Sequence, residues 1–114
     1  MEIRIIEEPI KREELIEFVK RQYGEMTKAV VDVGTGRVAL GGELHMDAAA
    51  KLEDGGSAWS NLWGINLYPE GDKEFRLEFD SMVNIKPAQG NRSRNVEDSA
   101  VREKIEIIVR KLIP

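Results

Sequence analysis

The sequence predicts an α+β fold: a mainly antiparallel sheet of four to five strands, two amphipathic helices packed on one of its faces, and one short helix. Three observations lead there. One segment near each end of the chain spaces its apolar residues as a helix does. Between them, short β-rich runs are divided by turns containing Gly or Pro, the pattern of hairpins. The 114 residues, 41% of them apolar, suit one core, so residues 1–114 are expected to form a single domain.

Glu2 to Glu7 carries Ile3, Ile5 and Ile6 and stops before Pro9, which reads as a first strand. Lys11 to Tyr23 then places Leu15, Ile16, Val19 and Tyr23 on one helical face, with Gly24 suited to the C′ position. Glu13 and Glu14 in the first turn and Lys20 and Arg21 in the last complement the helix dipole. Thr27 to Val33 and Arg37 to Leu44 flank Gly34-Thr35-Gly36 and form a predicted hairpin. The Gly-x-Gly here is followed by a strand, whereas a phosphate-binding loop needs a helix after it.

The stretch Gly41-Gly42-Glu43-Leu44-His45-Met46-Asp47 is the first with chemical content, because it holds the only histidine. On an extended backbone Glu43 and His45 share a face, where a carboxylate can orient an imidazole for proton transfer. Asp47 is expected to cap a short helix, 48–54, that ends at Gly55-Gly56. A metal site made from Glu43, His45 and Asp47 is short of ligands in a chain with one His and no Cys.

Ser57 to Asn61 is a polar connection containing Trp59, and Leu62 to Tyr68 is the next strand, closed by a turn at Pro69-Glu70-Gly71-Asp72. Trp63, Ile65 and Leu67 share one face of it; Gly64, Asn66 and Tyr68 share the other. Residues 75–86 alternate over an unusually long strand, for which a bend near Asp80-Ser81 is expected before Pro87 ends it. Ala88 to Asp98 is a polar loop of the length that is usually functional. Its Arg92 and Arg94 are suited to holding a phosphate or carboxylate by charge-assisted hydrogen bonds. Asp98 or Ser99 caps a last helix whose apolar stripe is Val101, Ile105, Ile108, Val109 and Leu112.

Composition excludes several function classes. Seventeen basic residues against 21 acidic ones leave a net charge of −4, which disfavours nucleic acid as a partner. The lack of cysteine removes disulfides and thiolate chemistry and fits a reducing compartment, so a cytoplasmic location is expected. No apolar run nears the roughly 18 residues of a membrane span, and the N-terminus has no signal-peptide layout.

Lys28 to Asp32, Gly41 to His45, Leu62 to Pro69 and Asn84 to Ser93 resemble the motifs of a family of short prokaryotic proteins catalogued as a domain of unknown function. The resemblance covers nearly the whole chain and implies no activity, cofactor or catalytic residue. The residues themselves point to a site that joins the Gly41 to Asp47 segment with the arginine loop and binds a small anionic or polar ligand of the nucleotide or phosphoester class. In it His45 and Glu43 serve proton transfer, Arg92 and Arg94 hold the anion, and Asn66, Asn84, Gln89 and Asn91 orient the ligand. The competing expectation is a homo-oligomeric or partner-binding module using an aromatic sheet face around Trp59 and Trp63. A third, RNA contact through Arg92, Arg94 and Lys86, is opposed by the net charge.

Overall fold

Residues 1–71 and 74–113 are described by a computed structural model of the chain. Its elements in chain order are β1 (Ile3–Ile6), α1 (Arg12–Lys20), β2 (Thr27–Asp32), β3 (Val38–Gly41), α2 (His45–Asp54), β4 (Leu62–Glu70), β5 (Glu74–Glu78) and α3 (Ser99–Leu112), with 3-10 turns at Trp59–Asn61, Met82–Asn84 and Pro87–Gln89. The five strands form one sheet in the order β1-β3-β2-β4-β5, and every pairing is antiparallel. No helix among the described residues is long and apolar enough to cross a membrane.

Strand alternation divides the core between the two faces of the sheet. Ala29, Val31, Val38, Leu40, Trp63, Ile65 and Leu67 point to one face, where Leu15, Phe18 and Val19 of α1 and Ile105, Val109 and Leu112 of α3 cover them. Val30, Ala39 and Leu62 point to the other, against Ala48, Ala49 and Leu52 of α2 and against Val83. The two amphipathic helices thus share a face, as the sequence predicts, and the short helix takes the opposite one. Coverage on both sides explains why β2 and β3 read as apolar runs rather than alternating ones.

Several boundaries differ from the sequence expectation. On α1, Phe18 joins Leu15 and Val19 in the core, while Tyr23 lies past the helix with its hydroxyl donating to the Glu43 carbonyl. The long strand over 75–86 stops at Glu78: Ser81 N–H donates to the Arg94 carbonyl and Ser81 Oγ accepts from Val83 N–H, so a turn replaces the ladder. The expected cap at Asp47 is also displaced. Helix α2 starts at His45, with Leu44 at the cap position and Asp47 inside the first turn. The cause is Gly41, whose φ of +97° ends β3; a Cβ there would collide with the Glu2 carbonyl oxygen and the Phe18 ring. Asp72, placed at the end of the expected turn after β4, lies outside the described residues.

At the first hairpin, Asp32 is fully buried and its Oδ1 accepts the N–H groups of Gly34 and Thr35 while Oδ2 accepts from Ser57 Oγ at 2.6 Å. Burial works to raise its pKa, but these hydrogen bonds outweigh it and hold the carboxyl below its ordinary value. Asp98 caps α3, accepting from Ala100 N–H at 2.8 Å.

Candidate functional site

The α2 face of the sheet is built around Gly64. A Cβ at this position would lie 2.5 Å from Ser81 Oγ and 3.1 Å from His45 Cδ2, so the missing side chain is what lets both groups reach the strand. Asn84, fully buried, pairs with both backbone groups of Gly64: Oδ1 accepts its N–H at 2.7 Å and Nδ2 donates to its carbonyl at 3.0 Å. The same Nδ2 donates to the Arg94 carbonyl at 2.9 Å. Asn91 folds the loop itself, with Nδ2 donating to the carbonyls of Asn84, Ser93 and Asn95 and Oδ1 accepting from Glu97 N–H. Two buried asparagines therefore stitch the arginine loop to β4, and that brings Arg94 to the first turn of α2.

Lys28, His45, Ser81 and Arg94, with Leu44, Met46, Met82 and Val83, line one cleft of about 260 Å³. His45 is nine-tenths buried. Its Nε2 donates to the Ile65 carbonyl at 2.8 Å; because that partner can only accept, the ring carries its proton on Nε2 and leaves Nδ1 as an acceptor. The Cδ2–Nε2 edge of the ring lies against β4, and His45 also lines the cleft. Burial first, and then the Lys28 charge, push the His45 pKa below its ordinary value of 6.5, against the opposing pull of the Ile65 carbonyl, Asn66 and Asp80. The imidazole is neutral at pH 7.

Two cations flank it. Lys28 Nζ donates to the Glu43 carbonyl at 2.9 Å, and Arg94 Nε pairs with Asp80 at 2.6 Å. Leu44 at the cap position of α2 has no side-chain acceptor; Asp47 N–H donates to the Leu44 carbonyl at 3.1 Å, and the amides of His45 and Met46 are left for another group.

The sequence-predicted residues divide around this cleft. His45 and Arg94 come together in it. Glu43 does not sit beside the imidazole: the positive-φ pair Gly41 and Gly42 breaks the extended geometry that this neighbour relation required, and Glu43 contributes its carbonyl instead. Asn66 is near enough to the ring to draw its pKa upward, while its Nδ2 donates to Glu78 and its buried Oδ1 has no partner within hydrogen-bond distance. Asn84 and Asn91 spend their amides on the scaffold. Gln89 donates to the Ser60 carbonyl and lines a separate concavity with Asn91, Trp63, Glu97 and Asp98. Arg92 is exposed, and its backbone N–H donates to Glu97, which also accepts from Ser93 N–H and Oγ. Neither tryptophan offers an open face. Trp63 is buried, Trp59 is half-buried, and the buried Lys86 ammonium lies 4.1 and 5.0 Å from their ring centres while donating to the Val83 carbonyl. Burial pushes Lys86 down to about 8, partly opposed by Glu53.

A family model described as "Protein of unknown function (DUF5674)" matches residues 4–112, from β1 into the last turn of α3. The chain belongs to that family. No curated protein and no solved structure matches it. The resemblance carried by the strand and loop motifs is therefore to the family that the whole chain matches, and the chemistry of this DUF5674 chain rests on its own residues.

Sequence reasoning missed Lys28 and the apolar rim. Lys28 pairs in register with Asn66 across β2 and β4, two residues from the Val30–Gly64 pair, so it shares the α2 face. A lysine among the otherwise buried positions of β2 was the available signal. Among the described residues, no three His, Asp or Glu side chains converge as metal ligands do. Ser81 Oγ accepts from Val83 N–H, and His45 Nε2 donates to the Ile65 carbonyl.

Proposed function

We propose that this chain binds a small anionic ligand in the cleft between Lys28, His45 and Arg94. The observation that supports it is the convergence on one concavity of two cationic side chains and the uncapped first turn of α2. The anion, as carried by a phosphoester or a carboxylate, would take hydrogen bonds from Lys28 Nζ, the free Arg94 nitrogens and the amides at His45 and Met46. Asp80 holds Arg94 in place, and the Glu43 carbonyl does the same for Lys28. His45 reports occupancy: a bound anion favours the imidazolium, so its pKa rises on binding and binding tightens as pH falls.

The test is a titration of the protein with inorganic phosphate and with acetate, followed by amide and imidazole NMR shifts. Movement of the Leu44, His45 and Met46 amides, a rise in the His45 pKa, and loss of both in Lys28→Met/Arg94→Ala are expected. Amides that stay still with both anions sink the reading. A second reading is an interaction module that uses, in place of the aromatic face expected around Trp59 and Trp63, the side chains of Leu44, Met46 and Met82, which are exposed around the same cleft. A solution mass of two or more copies that falls to one in Met46→Ser/Met82→Ser would favour it.

A further inference from the structure

The lining of the same cleft says more about its occupant, an inference that rests on the anion-binding reading. Leu44, Met46 and Met82 are 57%, 50% and 61% exposed. They are three of the seven large hydrophobic side chains left exposed among the described residues, and all three rim this one cleft. Methionine is unbranched and adapts its shape to what it covers, which suits a rim that closes over an apolar group. The charge count is small. Lys28 and Arg94 supply two positive charges and Asp80 returns one through its pairing with Arg94, so the side chains charged before an anion arrives balance a single negative charge. A dianion has to draw its second counter-charge from protonation of the buried His45, which desolvation opposes. Size points the same way: about 260 Å³ falls below the roughly 300–1,000 Å³ usual for drug-sized ligands, so a nucleotide's base and sugar would project into solvent.

We infer that the occupant is a small amphipathic monoanion, a free aliphatic carboxylate of short chain. Its carboxylate lies between Lys28, Arg94 and the first amides of α2, and its hydrocarbon tail lies under Leu44, Met46 and Met82.

The experiment compares hexanoate, acetate, inorganic phosphate and a leucine-ended tripeptide with a free carboxylate, by NMR titration of the wild type and of Met46→Ser/Met82→Ser. Both methionines are exposed, so the double variant keeps its core. Hexanoate should bind at least about tenfold more tightly than acetate, because two buried methylenes already supply that factor. The advantage of hexanoate over acetate should vanish in the double variant. Equal affinities for hexanoate and acetate, or a preference for phosphate, overturn this inference and leave the anion site standing. A tripeptide that binds more tightly than hexanoate also overturns it, in favour of a peptide terminus. Silence with every anion removes the site itself.

Discussion

The two faces of the sheet are covered by helices, but by different chemistry. Under α1 and α3 the sheet meets large aliphatic and aromatic side chains, with Leu15, Phe18, Ile105 and Leu112 sealed from solvent. Under α2 it meets alanines at one end, and at the other Gly64, His45, Ser81 and Asn84, which are tied to the backbone by His45 Nε2, Ser81 Oγ and the Asn84 amide. The first face is closed by volume and the second by hydrogen bonds. Hydrogen-bonded closure positions groups without filling the space beside them, and the cleft lies where α2 begins.

The comparison breaks most plainly on the closed face. Phe18→Ala removes a fully buried ring that packs against Gly41 and lies 5.4 and 5.9 Å from the Arg4 and Arg21 guanidiniums. A loss of about 3–5 kcal/mol in urea unfolding is expected, with Lys28, His45 and Arg94 undisturbed in the folded fraction. A smaller effect is expected at the hinge of the polar face. Gly64→Ala sets a methyl 2.5 Å from Ser81 Oγ and 2.6 Å from its Cβ, so Ser81 must shift, and should cost about 1–3 kcal/mol as overpacking does. Unlike Phe18→Ala, it should also move the His45 ring resonances and weaken any anion bound beside them. If Gly64→Ala left those resonances in place, the dependence of the site on this close approach would be wrong.

The smallest effect is pH-dependent. Lys86 titrates at about 8 in the folded protein against an ordinary 10.5, so between those values the unfolded chain holds a proton that the folded chain has released. Stability therefore rises with pH across that window. Wild type should gain at least about 1 kcal/mol relative to Lys86→Met between pH 8 and 10.5, the equivalent of less than one pKa unit. A flat difference would show that the Trp59 and Trp63 faces and the Val83 carbonyl compensate the burial of the ammonium in full.

Local pattern made the elements legible. The α3 stripe and its Asp98 cap, the hairpin around Gly34-Thr35-Gly36 and the face shared by Trp63, Ile65 and Leu67 all follow from period and turn chemistry acting over a few residues. The start of α2 was misplaced because Asp47 is a good cap by residue type, whereas the chain is turned earlier by a glycine whose surroundings, Glu2 and Phe18, come from β1 and α1. The end of β5 was misplaced for a similar reason: Asn84 and Arg94 compete for the backbone there, and neither partner is local.

The site divides along the same line. By itself the sequence determined the fold class and the absence of thiol chemistry, and it singled out His45 and the arginines of the 88–98 loop as candidates, because these follow from residue type and short-range order. Only the tertiary structure decided that Arg94 and Lys28 share one cleft with His45, that Glu43 does not line it, and that Asn84 and Asn91 spend their amides on the scaffold. Those outcomes depend on the register of β2 with β4 and on hydrogen bonds between residues 10 and 20 positions apart, which no window of sequence contains.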